Sequence, residues 1–195
     1  MTEAEWLACV DSVRLVGSLR TASDRKLHLF ACAVCRTIWP RLSDLQRRGV
    51  QIAESFADGS ADGKLRAKHL HRMECLDKQG GKEMWLSTSV LAECGWYAAE
   101  LIAGCSSDVT QEVCFVRDIF GNPFRPVSFA PAWLTSTVTT LAKQMYQSRD
   151  FGAMPILADA LQDAGCDNAD ILDHCRGGGP HVRGCWVVDL ILGKP

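Results

Sequence analysis

The sequence has no strong excess of charge of either sign, since 21 lysines and arginines stand against 23 aspartates and glutamates. The formal net charge of −2 gives no general attraction to nucleic acid or to an anionic membrane. No run of about 18 apolar residues occurs, and the opening MTEAEWLACV has no basic region ahead of an apolar core. We therefore expect a soluble cytoplasmic protein, with no membrane among its partners.

The missing export signal also decides how the ten cysteines are interpreted. Disulfide frameworks belong to oxidising compartments, and Cys32, Cys35, Cys94 and Cys114 lie inside apolar, helix-like runs as small hydrophobic residues do. We therefore interpret the cysteines as reduced thiols. With 47% hydrophobic residues among 195, the chain can form a sizeable core in one domain or in two closely packed halves.

A complete catalytic or nucleotide-binding motif is also missing. The Gly177-Gly178-Gly179 run is not followed by the lysine and Ser/Thr of a phosphate-binding loop. Cys185 has His181 four residues away and Arg183 between them, which on a helix would bring a thiol and a base onto one face. Catalytic partners usually come from separate elements, so we assign no catalytic residue and keep a cysteine-dependent enzyme only as an alternative.

Helical periodicity dominates what is present, most clearly from Thr21 to Pro40. Apolar residues there cover most of a helical circumference, Thr21 or Ser23 can cap the start, and Pro40 cannot continue the helix. A helix of this kind usually has neighbours on two sides. The pattern therefore predicts an all-α fold, a multi-helix bundle packed around this central helix.

The pattern of the whole chain predicts about nine to ten helices in two packed halves. Residues 1–121 form the N-terminal half, 122–131 (NPFRPVSFAP) an ordered proline-rich crossover, and 132–195 the C-terminal half, all expected to pack as one compact unit. Lys82 to Ala103 reads as one long helix, in which Gly95 indicates close approach of another helix. The final VRGCWVVDLIL fits a helix or a buried strand, and a helix is favoured because no partner strand is in view.

Three stretches, SDRKLHLFACAVCRTIW, RDIFGNPFRP and HCRGGGPHVRGCWVVDL, resemble an uncharacterised protein family abundant in planctomycete-type bacteria. The resemblance spans nearly the whole chain, and the segment LADALQDAG is similar, more weakly, to the repeat-companion domain of such bacteria. It implies no activity, cofactor or ligand. Between Gly63 and Gln111 the chain departs from the family's alanine- and tryptophan-rich middle, so a function located there would be peculiar to this protein.

Two groups of histidine and cysteine have the ligand chemistry of a zinc site. His28, Cys32 and Cys35 share one helical stripe, and the second group flanks the glycine-rich turn. The second group consists of His174, Cys175, His181 and Cys185. It is the better candidate because a loop lets ligands converge, although neighbouring residues on a helix diverge by about 100°, so His174 and Cys175 can hardly both contribute. Packed neutral thiols are the alternative.

The stretch from Lys64 to Gln79 is the most basic part of the chain. Its cations are Lys64, Arg66, Lys68, Arg72 and Lys78. A basic 64–82 helix can face nucleic-acid phosphates, or it can be an ordinary solvated surface. Glu74 and Asp77 dilute the charge and no aromatic residue is present for base stacking, so nucleic acid is an alternative partner.

Four arginines lie around the irregular segments, namely Arg117, Arg125, Arg176 and Arg183. Each has a carboxylate at hand among Asp118, Asp170, Asp173 and Asp189, so ion pairs that fix loops are expected. The alternative is a pocket for phosphate or an acidic peptide.

Since helix signals are strong and no catalytic constellation is complete, the sequence favours a non-enzymatic interaction or adaptor module whose partner is another protein. The alternatives are a nucleic-acid-associated protein and a zinc-binding or cysteine-dependent enzyme.

Overall fold

A computed structural model describes residues 1–19, 22–76, 82–91, 95–104 and 108–194. Within these ranges the chain forms twelve α-helices and no strand, so the predicted all-α, multi-helix fold is confirmed. The chain divides into two compact units, Met1–Val116 and Arg117–Pro195. The division falls inside a helix, whereas the sequence placed the end of the N-terminal half after Gly121.

The first unit contains seven helices and the start of an eighth. They are α1 (Glu3–Ala8), α2 (Ser12–Ser18), α3 (Asp24–Thr37), α4 (Asp44–Ala57), α5 (Gly63–Leu76), α6 (Lys82–Ser89), α7 (Gly95–Ile102) and α8 (Val109–Phe120). The second unit contains the end of α8 and four further helices. These are α9 (Ser136–Ser148), α10 (Met154–Asp163), α11 (Ala169–Arg176) and α12 (Trp186–Leu192). Short 3-10 turns lie at Trp39–Arg41 and Pro131–Trp133.

The predicted central helix is α3. Ser23 caps it by accepting a hydrogen bond from the Lys26 N–H, and every residue from Leu27 to Cys35 is buried. The helix packs chiefly against α4 and α7. The expectation of an apolar helix enclosed by its neighbours is therefore confirmed for the first unit.

Gly95 marks the closest of these approaches, as its position in the sequence indicated. A Cβ atom there would collide with the backbone oxygen of Asp24 and would lie 2.7 Å from His28 Nδ1, both on α3. The Gly95 N–H donates to Asp24 Oδ1 at 2.5 Å. Only glycine lets the start of α7 lie against α3 in this way.

The prediction of one long helix from Lys82 to Ala103 is wrong, because α6 ends at Ser89 and α7 begins at Gly95. The Thr88 and Ser89 hydroxyls both donate to the Trp85 carbonyl, at 2.9 and 2.8 Å. Hydroxyl groups that bond back to the helix compete with its own ladder, and here they precede a turn at Val90 and Leu91. Apolar periodicity alone did not reveal this break.

The core of the second unit is made by α9 to α12. Its largest fully buried side chains include Met154, Leu157 and Leu161. From the proline-rich segment, Val127 and Phe129 pack against this core, and Phe129 meets the Trp133 ring edge-on at 5.3 Å between centroids. The apolar end of the chain forms α12, so the preference for a helix over a strand there is confirmed.

Eight of the ten cysteines lie in the described part of the chain, and these form no disulfide bond with one another. Among the described helices, none has the length and apolar content needed to span a membrane.

Candidate metal centre

Four side chains of the second unit converge at one point. Asp118 comes from the last turn of α8, His174 from α11, His181 from the loop that follows, and Cys185 from the residue that precedes α12. Each offers one possible ligand atom, and these atoms all lie within 4.8 Å of one another. Carboxylate, imidazole and thiolate are the side chains that bind zinc in proteins, so this cluster could hold a metal ion.

His174 Nε2 lies at the centre of the cluster. It is 3.2 Å from Cys185 Sγ and 3.2 Å from Asp118 Oδ1. In a tetrahedral zinc site with bonds of about 2.0 to 2.3 Å, nitrogen and oxygen ligands lie roughly 3.3 Å apart and nitrogen and sulfur ligands roughly 3.5 Å apart. Both distances are therefore close to those of a metal shell.

The remaining short distance joins Asp118 Oδ1 to His181 Nδ1, at 2.7 Å. This is a hydrogen-bond length, and the pair would have to separate by about 0.6 Å to ligate one tetrahedral ion together. The opposite carboxylate oxygen, Asp118 Oδ2, accepts the Val182 N–H at 2.8 Å. Asp118 thus holds the 181–182 loop against the end of α8.

One ring nitrogen of His181 has no hydrogen-bond partner among the described residues. Its Nδ1 meets Asp118, whereas its Nε2 is buried and has no hydrogen-bond partner among the described residues. Leaving a buried polar atom unpaired costs about 1–3 kcal/mol. A metal-bound histidine uses one nitrogen for the ion and the other for a hydrogen bond, so His181 could supply one ligand atom to a metal ion.

The cluster is largely closed to water. The side chains of Asp118 and His181 are 4% and 9% exposed, and Cys185 is fully buried. His174 is the most accessible at 18%, and its ring packs against the rings of His181 and Trp186 at centroid distances of 4.9 and 5.1 Å. Trp186 in turn packs against Gly121, where a Cβ would lie 3.2 Å from the indole.

Burial and hydrogen bonding act oppositely on the two acidic groups. Burial raises the pKa of Asp118, but hydrogen bonds from His174 and His181 outweigh it and hold that pKa below its usual value. Burial, assisted by the Asp118 charge, raises the pKa of Cys185 well above that of an ordinary thiol, while the N–H groups of Val188 and Val187 act against the rise. Asp118 is therefore ionised, and Cys185 is a neutral thiol that a metal ion could deprotonate by binding it.

The arrangement does not suit a cysteine nucleophile. In a catalytic triad the nucleophile and the orienting acid contact opposite nitrogens of the histidine. Here Cys185 and Asp118 both face Nε2 of His174. Together with the complete burial of Cys185, this favours convergence on a shared ion over proton relay.

The sequence identified three of these four residues. Cys175, its fourth candidate, lies outside the cluster and is fully buried, and burial raises its pKa to about 12. Its divergence from the adjacent His174 matches the argument from helical geometry. Asp118 was considered only as an arginine's partner; it lies 63 residues before His181, and no local spacing connects them.

The earlier group of His28, Cys32 and Cys35 does not converge. His28 Nδ1 contacts the Asp24 carbonyl at 3.0 Å, and the Cys32 thiol is directed at the Val50 carbonyl at 3.9 Å. Across the described residues, the cluster of the second unit is the group of three or more histidine, cysteine and acidic residues whose ligand atoms meet.

The candidate binding arginines contact different places in the second unit. Arg125 lies 3.8 Å from Asp170, as expected of a loop-fixing ion pair. Arg176 meets Asp159 at 3.2 Å and Gln162 at 2.6 Å, and Arg183 lies over the Tyr146 ring at 4.5 Å. Arg117 is half-buried beside Asp118 on α8.

The basic residues of α5 separate into two sets. Arg66 is buried, donates to the Leu91 carbonyl at 2.9 Å and lies over the Phe56 ring, and the buried His69 contacts the Leu45 carbonyl. The exposed set is Lys64, Lys68 and Arg72. Lys78 lies outside the described residues. Of the predicted basic 64–82 helix, the structure describes residues 64–76, which belong to α5, and Lys82, where α6 begins.

Comparisons with protein-family models, with curated proteins and with solved structures found no match to this chain.

Proposed function

We propose that the second unit binds one Zn²⁺ through Asp118, His174, His181 and Cys185, and that the ion has a structural role in a non-enzymatic helical protein. The observation that carries the proposal is the convergence of four side chains, of three ligand types, on one largely buried point. For the whole chain, we retain the interaction module, with another protein as partner, as the function into which this site fits.

The ligand set favours zinc over other common ions. One sulfur and two imidazoles are poor ligands for Mg²⁺ and Ca²⁺, which prefer all-oxygen shells, whereas mixed nitrogen, sulfur and oxygen shells suit Zn²⁺. Four protein ligands also fill a tetrahedral shell and leave no position for water or substrate. A closed, largely buried site of this kind is typical of a structural ion.

The position of the ligands suggests what the ion stabilises. Asp118 belongs to α8, and the other three lie between α11 and the start of α12. An ion bound there would fix the glycine-rich loop at both of its ends and hold it to α8. Structural zinc sites contribute their binding free energy directly to folding, so this unit should depend on the metal.

Elemental analysis tests the proposal directly. Full-length protein purified without chelator should carry about one equivalent of zinc, and Co²⁺ exchanged into it should show the visible absorption of a tetrahedral site with a thiolate charge-transfer band. Less than about 0.2 equivalents of zinc, together with no cobalt spectrum after reconstitution, would overturn the proposal.

A matched pair of cysteine variants gives the control. Cys185→Ala removes a ligand and should abolish the thiolate band and most zinc retention. Cys175→Ala removes an equally buried thiol next to His174 but outside the cluster, and should retain both. Equal zinc content in the two variants would exclude Cys185 as a ligand.

A further inference from the structure

The exposed side of α5 carries a row of cations that form no ion pair within the described part of the chain. Lys64, Lys68 and Arg72 are spaced four residues apart, so they lie along one face over about 12 Å of helix. All three are exposed, and none forms an ion pair with a described residue. His71 is exposed as well and, by helical periodicity, lies on the same side.

The other basic residues of α5 differ from this exposed row, because the fold buries them. Arg66 and His69 are turned inward, where each contacts a backbone carbonyl. These contacts to the Leu91 and Leu45 carbonyls give Arg66 and His69 a structural role. No described residue supplies such a partner to Lys64, Lys68 or Arg72, and these three side chains are exposed to a ligand.

The carboxylates of α4 and of the loop between α4 and α5 have other partners. Asp44 meets Arg47 at 3.6 Å, and Asp58 meets Arg25 at 3.2 Å. Glu54 is paired with Arg36, and Asp62 accepts the Leu65 N–H at the start of α5. Glu74 is the exposed acid of α5 itself. At about 100° per residue it lies roughly 120° around the helix from Lys68, the middle residue of the row of cations.

We propose that the face formed by Lys64, Lys68 and Arg72 binds double-stranded nucleic acid through its phosphates, independently of base sequence. A line of evenly spaced cations suits a line of phosphates, and such contacts position a protein without reading sequence. The lack of an aromatic residue in α5 favours the duplex backbone over single strands, whose binding sites usually stack bases on aromatic rings. The site lies in the first unit and does not depend on the proposed zinc site.

The test uses the full-length protein and a labelled random-sequence DNA duplex in fluorescence anisotropy across salt concentrations. With three phosphate contacts, the logarithm of the association constant should fall with the logarithm of salt at a slope of about −2.7, which is roughly a 40-fold loss from 50 to 200 mM salt. Absence of binding at low salt, or a preference for single strands over the duplex, would overturn the proposal.

A charge-matched pair of variants separates this face from net charge. Lys68→Glu with Arg72→Glu should weaken binding more than tenfold at low salt and reduce the slope to about −0.9. Arg14→Glu with Lys143→Glu makes the same change in net charge at exposed positions outside α5, and should leave the affinity within twofold. An equal loss of affinity in both variants would mean that net charge, and not this face, binds the duplex. Circular dichroism checks that each variant is folded.

Discussion

Asp118 connects three other groups of the second unit, namely His174, His181 and the backbone of Val182. Both of its oxygens are used, one by His181 and His174 and the other by the Val182 N–H. Its pKa is held below the ordinary value although burial opposes this, so the carboxylate is charged in the folded protein. A charge of this kind is stable only while the groups around it supply compensating hydrogen bonds.

Asp118→Asn should therefore lower the affinity for zinc by at least about 100-fold, because an amide keeps the shape but loses the charge that a cation attracts. Isothermal titration with Zn²⁺ measures this. Asp170→Asn is the control, since Asp170 is half exposed and forms an ion pair with Arg125 outside the cluster. Unchanged zinc affinity in Asp118→Asn would remove the carboxylate from the proposed shell.

The buried Cys35 predicts how the stability of the protein changes at alkaline pH. Its side chain is fully buried in α3, and burial raises its thiol pKa far above the usual value despite the neighbouring Arg36 charge. Because the folded pKa is raised, the stabilisation is complete below the unfolded thiol pKa of about 8.5 and is lost as pH rises from there towards the folded pKa. The unfolded chain then releases a proton that the folded chain retains.

Cys35→Ala should flatten the alkaline fall in the free energy of unfolding by up to about 1.4 kcal/mol per pH unit. Urea unfolding at several values between pH 7 and pH 10 measures the slope. Cys75→Ala should leave the slope of the parent protein unchanged, since Cys75 is exposed before and after unfolding. The slope distinguishes this effect from the pH-independent cost of truncating a buried side chain.

Local signals in the sequence were enough to locate the start of α3 but not the break between α6 and α7. Capping residues act within one turn, so Ser23, one of the two caps that the sequence offered for the central helix, could be named in advance, and it caps α3. The α6 break was missed because it involves side chains bonding backwards to Trp85 within an apolar pattern that continues past them.

The packing of α7 on α3 yields a second pair of substitutions. Gly95→Ala should destabilise the protein by about 2–3 kcal/mol, because the new methyl group collides with the backbone oxygen of Asp24 on α3, which cannot move aside easily. Gly17→Ala, inside α2 with nothing within 4 Å of the added Cβ, should instead stabilise by about 0.5–1 kcal/mol. Chemical denaturation measures both; a neutral Gly95→Ala would contradict the close approach.

For the whole molecule, fold class was predictable from sequence because periodicity of apolar residues is repeated along the chain. The site was only partly predictable. His174, His181 and Cys185 lie within one short stretch and share metal-ligand chemistry, whereas Asp118 reaches them only because the second unit brings the end of α8 to the 181–182 loop. Such a contact depends on tertiary packing, which no spacing rule encodes.

The division into two units predicts a local response to metal. At a free zinc concentration of 100 times the dissociation constant, zinc should stabilise the second unit by about 2.7 kcal/mol. Amide hydrogen exchange should then slow by roughly 100-fold in α11 and α12 and remain unchanged in residues 27–35 of α3. Mass spectrometry of peptic fragments resolves these segments, and Cys185→Ala should show no slowing. Equal slowing in both units would contradict a local role.

Because α8 begins in one unit and ends in the other, the proline-rich segment is a poor place to divide the protein for experiments. A fragment that starts at Asn122 would carry three of the four converging side chains and leave the carboxylate behind. Starting ahead of Arg117 would preserve the set. The proline-rich segment and the border between the two compact units thus differ by a little more than one turn of helix. A truncation at Asn122 would discard Asp118 while retaining its three partners.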